Sequence, residues 1–288
     1  MKLQGVFTAL ITPFVHNEID IATFKKLVQS QVSGGVSGIV VCGTTGESPT
    51  LTEDEFKLLV KTAIVESHHQ IKVFVGVGSC NTSVAVHKTQ WAHEAGADGM
   101  LVVTPYYNKP TQVGLLDYYS QIAEATDRPI ILYTVPSRCG VEIAISTAMT
   151  LHQRHPHICA IKEASPQCRR VEKLSSFSEN FFVLSGDDGM TLPFMSLGAT
   201  GVVSVASNLY PREMAQMVAA AQGNDFHTAK KIYDKLLPTM DLMFIETNPL
   251  PIKYLMAHFG KITSSECRSP LGQLSDESIQ KLSNIPAL

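Results

Sequence analysis

The stretch Gly96-Ala97-Asp98-Gly99-Met100-Leu101-Val102-Val103-Thr104 holds one full unit of the chain's architecture. Gly96 can take the left-handed conformation that ends a helix, and Gly99, without a Cβ, lets the next segment begin close to its neighbours. The apolar run that follows is too short for a helix, is valine-rich and is bounded by turn residues, so it reads as a strand buried on both faces. It ends in the polar cluster Thr104-Pro105-Tyr106-Tyr107-Asn108. The turn recurs as Gly35-Val36-Ser37-Gly38 and Gly198-Ala199-Thr200-Gly201, each before another apolar run.

Eight such runs lie along the chain: Val6–Ile11, Gly38–Cys42, Ile71–Val77, Gly99–Thr104, Pro129–Thr134, Ile158–Lys162, Phe181–Ser185 and Gly201–Val205. Between them the apolar residues fall at helical spacing, as in Phe24, Leu27, Val28, Gln31 and Val32, or Phe56, Leu59, Val60, Ala63 and Ile64. Thr52 and Glu55 have the spacing of a capping box, which marks where the second of these helices starts. Strands alternating with helices form either an open doubly wound sheet or a closed barrel. The glycines at Gly76-Val77-Gly78 continue into Ser79, Cys80 and Asn81, so the dinucleotide fingerprint of many open sheets is missing. The pattern predicts an α/β fold, a (β/α)8 TIM barrel over residues 1–223, with extra C-terminal helices over 224–288 packed on its outside. Those helices are expected at Asn224–Glu246, from Pro249, and at Asp276–Leu282.

Of the 288 residues, 44% are hydrophobic and 17% charged, enough for a large core without metals or disulfides. A net charge of −3 supplies no basic field for nucleic acid or anionic membrane, and no apolar run approaches the length of a membrane span. Residues Met1 to Gly5 lack a signal-peptide layout, so a cytoplasmic protein is expected. The six cysteines form no C-x-x-C pair, which argues against a disulfide framework or a zinc site. His152, His155 and His157 crowd one stretch but precede a strand, on the barrel face away from catalysis, and His68 and His69 read the same way. Neither a metal nor a cofactor is expected.

Barrel enzymes carry their active sites at the C-terminal ends of the strands, and here those ends are polar. Lys162 closes the run Ile158-Cys159-Ala160-Ile161, so its amine would point into an apolar mouth. Desolvation there disfavours the ammonium and exposes a lone pair that can attack a carbonyl to form a Schiff base. A surface lysine at a strand end is the plain alternative, and the neighbouring residues decide against it. Tyr133, at the end of the adjacent strand, can pass protons to and from the intermediates if Thr44 and Tyr107 complete a relay. The turn Gly43-Thr44-Thr45-Gly46 offers hydroxyls and approachable backbone N–H groups to a small carboxylate. Arg138 sits in a loop where its guanidinium fork could hold a second carboxylate.

Taken in order, Thr8-Ala-Leu-Ile-Thr-Pro-Phe14, Gly43-Thr-Thr-Gly-Glu-Ser48, Thr104-Pro-Tyr-Tyr-Asn108, Tyr133, Val135-Pro-Ser-Arg138, Ile161-Lys-Glu-Ala164, Ser185-Gly-Asp-Asp188 and Asn248-Pro-Leu-Pro251 span nearly the whole chain. This set resembles the dihydrodipicolinate synthase branch of the pyruvate-dependent class I aldolases, which also includes N-acetylneuraminate lyase. The resemblance implies that Lys162 forms the imine with pyruvate and that Thr44, Tyr107 and Tyr133 relay protons. Thr45 would help bind the pyruvate carboxylate, and Arg138 would receive L-aspartate 4-semialdehyde. Gly186 and Val203 align with backbone positions lining the site.

The implied product is 4-hydroxy-tetrahydrodipicolinate, on the route to diaminopimelate and lysine. Val-Pro-Ser-Arg138 separates this branch from aldolases of sugar acids, which remain the nearest alternative; a non-catalytic keto-acid sensor is the alternative of another class. Thr134 departs from the asparagine expected in many relatives. The resemblance further implies a homotetramer of tight dimers, with Tyr107 reaching into the neighbour's relay. Some members bind lysine at the dimer interface through histidine, asparagine and glutamate. Those positions hold Phe56, Cys80 and Val84 here, so weak or absent lysine inhibition is expected.

Overall fold

The computed structural model describes residues 2–285. Eight parallel strands close into a barrel: β1 (Gly5–Ala9), β2 (Gly38–Val41), β3 (Lys72–Gly76), β4 (Gly99–Val103), β5 (Ile130–Thr134), β6 (Ile158–Glu163), β7 (Phe182–Ser185) and β8 (Gly201–Ser204). All eight apolar runs became these strands, seven of them a residue or two shorter than read and β6 one residue longer, through Glu163. The helices are α1 (Ile21–Gly34), α2 (Glu53–Glu66), α3 (Thr82–Glu94), α4 (Gln112–Glu124), the one-turn α5 (Pro136–Cys139), α6 (Ile145–Arg154), α7 (Cys168–Ser175), α8 (Thr191–Met195), α9 (Pro211–Gln222), α10 (Phe226–Leu242), α11 (Leu250–His258) and α12 (Asp276–Ser283).

The repeated glycine turn works as its sequence suggested. Gly35, Gly96 and Gly198 adopt φ of +76°, +91° and +99°. A Cβ at the second glycine of each turn would collide: 2.7 Å from the Lys72 carbonyl oxygen at Gly38, 2.3 Å from Phe74 at Gly99, and 2.0 Å from the Gly5 carbonyl oxygen at Gly201. The first glycine thus releases the chain from a helix, and the second admits the strand beside its neighbour. The capping box of α2 forms in full, with the Thr52 backbone N–H donating to Glu55 Oε2 at 2.8 Å and the Glu55 N–H to Thr52 Oγ1 at 3.3 Å. Helix α10 starts later than expected because Asp225 caps it, accepting from the Thr228 N–H at 3.0 Å.

The chain divides into two compact units. One holds the residues up to Gly5 together with Val73–Val203; the other holds Val6–Lys72 together with the chain from Ser204 onward. In the second unit, buried polar side chains complete the backbone around β1. Asn208 Oδ1 accepts from the Ile11 N–H at 3.1 Å while its Nδ2 donates to the Ala9 carbonyl at 2.8 Å. This unit also contains a small antiparallel ribbon, Phe14–Val15 with Glu18–Ile19, turned by His16 and Asn17 at φ 52° and 63°. Both turn residues are left-handed, as a two-residue hairpin requires.

Candidate active site

In the unit built on Val73–Val203, Lys162 and Tyr133 stand side by side in the β5–β6 register. Neighbours in register on parallel strands point to the same face. Both side chains are buried, 5% and 6% exposed, and Lys162 Nζ lies 4.1 Å from the centre of the Tyr133 ring. An amine is thereby held in an apolar strand end against a phenol, the arrangement a Schiff-base lysine needs.

The next residues of the two strands, Thr134 and Glu163, also pair in register and face the other way. Glu163 is fully buried, and its charge is met from the helix side: Arg170 Nε donates to Oε2 at 2.5 Å, and the Ser165 N–H and Oγ donate to Oε1 at 2.9 and 2.6 Å. Nothing local in the sequence assigns Glu163 a partner. The available signal is a carboxylate inside a strand buried on both faces, which demands a cation, and Arg170 stands in the first turn of α7, just beyond the following loop.

Arg138 is exposed on the one-turn helix α5, which Gly140 ends at φ +67°. Its position suits a ligand carboxylate arriving from solvent. Tyr107 is 94% exposed and holds φ +72°, a strained conformation for a tyrosine. It does not pack within its own chain. The adjacent Asn108 Nδ2 donates to the Cys80 carbonyl at 2.9 Å and ties this loop to the start of α3. The Gly186 N–H donates to the Glu163 carbonyl at 2.7 Å, and a Cβ on Gly186 would lie 2.8 Å from Ala164 Cβ, so its backbone sits tight against the end of β6. Val203 is buried on β8.

In the other unit, the turn after β2 is closed by backbone bonds from the Glu47 N–H to the Thr44 carbonyl, 3.1 Å, and from the Ser48 N–H to the Gly43 carbonyl, 3.2 Å. Thr44 is half-buried and Thr45 buried. Thr45 Oγ1 accepts from Asn248 Nδ2 at 3.0 Å, and a hydroxyl that accepts one bond still has a proton to give. The turn is further held through Glu47, which adopts φ +57°. Its Oε1 meets Lys253 Nζ at 2.7 Å with both side chains 0% exposed, and its Oε2 accepts from the Arg268 N–H at 2.8 Å. Lys253 Nζ and Arg268 Cζ lie 4.5 and 4.2 Å from the Phe14 ring centre. Asn248 and Glu47 belong to motifs visible in the sequence, but Lys253 and Arg268 carry no local signal of this role.

Two histidines of the cluster bond to backbone carbonyls. His152 Nδ1 donates to the Ile158 carbonyl at 2.8 Å, and its ring packs edge-on against Phe177 and Phe181. His157 Nε2 donates to the Ala123 carbonyl at 3.0 Å. Among the described residues, no group of three or more histidine, cysteine or acidic side chains is placed to hold a metal ion. Among them, too, no helix is long and apolar enough to cross a membrane. Burial pushes the Cys159 thiol up to about 11, which makes it an inert packing group.

A family model described as the dihydrodipicolinate synthetase family matches residues 2–286. A protein of Leptospira biflexa named 4-hydroxy-tetrahydrodipicolinate synthase is 45% identical over 284 residues, covering 97% of this chain and 96% of that one. The crystal structure of dihydrodipicolinate synthase from Aquifex aeolicus superposes with a TM-score of 0.95 at 44% identity, over 97% of this chain and 96% of that one. The chloride-inhibited dihydrodipicolinate synthase of Acinetobacter baumannii, complexed with pyruvate, gives a TM-score of 0.95 at 36% identity, over 98% and 97% of the two chains.

Proposed function

Because the chain belongs to the dihydrodipicolinate synthetase family, we propose that Lys162 is the amine through which it joins pyruvate to L-aspartate 4-semialdehyde. The product is 4-hydroxy-tetrahydrodipicolinate, for diaminopimelate and lysine synthesis. The observation that carries the assignment is the buried pair on β5 and β6, with Lys162 Nζ 4.1 Å from the Tyr133 ring centre.

The neutral Lys162 amine attacks the pyruvate keto carbon, and loss of water from the carbinolamine leaves an imine. Loss of a methyl proton converts the imine to an enamine, whose carbon attacks the aldehyde of the semialdehyde. The semialdehyde's own amine then adds to the imine carbon, closing the ring and releasing Lys162 with its proton restored. Tyr133 carries protons to and from nitrogen and oxygen during these steps, in a relay with Thr44 and Tyr107. Thr45 helps hold the pyruvate carboxylate and Arg138 that of the second substrate, with Gly186 and Val203 lining the site through their backbone.

The 94% exposure and left-handed backbone of Tyr107 support its delivery to a second copy of the chain, within a homotetramer of tight dimers. Six free cysteines support a reducing, cytoplasmic setting. The pyruvate complex of the Acinetobacter relative supports pyruvate as the first substrate.

Borohydride reduction in the presence of pyruvate, followed by peptide mass spectrometry, tests the central assignment: a reduced pyruvyl adduct is expected on Lys162, and an unmodified Lys162 refutes it. Arg138→Ala should keep this adduct but lose turnover of aspartate semialdehyde. Retained turnover would instead favour a sugar-acid substrate.

A further inference from the structure

The loop that carries Arg138 leaves β5 at Thr134 and returns at Ile143. Its returning stem is held by side chains. The Glu142 carbonyl accepts from Gln112 Nε2 at 2.8 Å, the Ile143 N–H donates to Thr134 Oγ1 at 3.2 Å, the Ile143 carbonyl accepts from Arg170 Nη2, and the Ala144 N–H donates to Gln112 Oε1 at 2.9 Å. Four consecutive backbone polar groups are thus satisfied by side chains from outside the loop. A mobile substrate loop would leave such groups to water.

Arg170 joins this stem to the site. While Nη2 holds the Ile143 carbonyl, Nε binds Glu163, the residue directly after Lys162, and Nη1 faces the Glu142 carboxylate at 3.5 Å. Only a planar fork can serve strand, stem and loop carboxylate at once. Arg170 is 6% exposed, Glu163 and Thr134 are 0% exposed, and Ile143 is fully buried, so water does not compete for the bonds of Arg170 to Glu163 and Ile143 or for that of Thr134 to Ile143.

We infer that Arg170 and Thr134 are positioning residues for the second substrate: they clamp the backbone of Ile143 and so set the Arg138 loop relative to the imine strand. This rests on the assignment of Arg138 to the semialdehyde carboxylate. It also gives Thr134, which stands where asparagine was expected, a defined part: its hydroxyl accepts the stem's N–H.

The test is a KM split. Arg170→Lys keeps a cation beside Glu163 but lacks the fork, and Thr134→Val removes only the stem's acceptor. Both should raise KM for aspartate semialdehyde, by about tenfold or more for Arg170→Lys, because a small displacement of a binding group is costly. Pyruvate imine formation, read by borohydride trapping across pyruvate concentrations, should stay as in the parent. Thr134→Ser should restore the semialdehyde KM, which a purely steric role would not require. An unchanged semialdehyde KM in both variants overturns the inference, as does a parallel loss of imine formation. Arg138→Ala is the control that separates the two claims. If it leaves the semialdehyde KM unchanged, the assignment of Arg138 fails; if it raises that KM while the clamp variants do not, only the clamp fails.

Discussion

Replacing Lys253 by methionine should be among the most damaging single changes outside the Lys162–Tyr133 pair. Glu47 and Lys253 are both 0% exposed and meet at 2.7 Å, so the variant leaves a carboxylate in the interior without its cation. Removing one member of a buried pair typically costs about 3–5 kcal/mol. The Arg268 N–H still donates to Glu47 Oε2, which puts the expected loss near the low end, about 3 kcal/mol. The double variant Glu47→Gln/Lys253→Met removes both charges while keeping volume, and should return to within about 1 kcal/mol of the parent. As a contrast, Lys230→Ala breaks an exposed pair with Asp234 and should cost under about 0.5 kcal/mol. Urea unfolding followed by circular dichroism, at one protein concentration, gives all three values. Because Glu47 ends the turn that bears Thr44 and Thr45, Lys253→Met should also raise KM for pyruvate. A single variant within about 1 kcal/mol of the parent, or a double variant as unstable as the single one, would refute this reasoning.

Gly201→Ala places a Cβ 2.0 Å from the Gly5 carbonyl oxygen, a clash with backbone that no rotamer relieves. It should cost more than about 2 kcal/mol, and a parent-like melting temperature would show that β1 and β8 can separate. The hydrogen bond from Arg268 holds the Glu55 carboxyl at about 2 instead of 4.5. A depressed value stabilises above the ordinary pKa and is lost as pH falls toward the folded one, so the contribution fades between about 4.5 and about 2. Glu55→Gln should therefore lower stability near neutrality by about 1 kcal/mol, after solvent screening, and make no difference near pH 2; an equal loss at both would place the effect in packing. Lysine should inhibit weakly or not at all, since buried Phe56, exposed Cys80 and exposed Val84 supply no carboxylate for its ammonium. Strong inhibition at sub-millimolar lysine in a steady-state assay would contradict this.

The barrel was legible because its instructions are local. Gly96 and Gly99 lie three residues apart and act on adjacent elements, and each short apolar run is its own strand signal. The proposal for Lys162, Tyr133 and Arg138 rests on a related reason: the fold fixes strand ends as the place to look, and those ends are polar. The supports behind them are not local. Glu47 lies 206 positions from Lys253 and 221 from Arg268, and Asn248 is 203 from Thr45. No window of sequence contains both partners, and a buried lysine on an apolar helix reads the same as an exposed one. The ribbon at Phe14–Ile19 escaped because its two strands are two residues each, too short for alternation to show.

Lys162 and Glu163 illustrate why register governs this chemistry. They are consecutive, oppositely charged when ionised, and both buried, yet they must not meet. A carboxylate on the same face would favour an ammonium over the lone pair that the proposed attack on a keto carbon requires. The pleat sends Lys162 to the side of Tyr133 and Glu163 to the side of Thr134, as the β5–β6 pairing records. Slipping β6 by one residue would exchange the two, replacing the proposed nucleophile with an acid beside Tyr133 and burying a lysine against Arg170. The hydrogen bonds that Arg170 and Ser165 give to Glu163 reward the correct register alone. The ion pair on the Thr134 side of β6 thus helps keep the Lys162 amine on the Tyr133 side, where the proposed imine formation needs it.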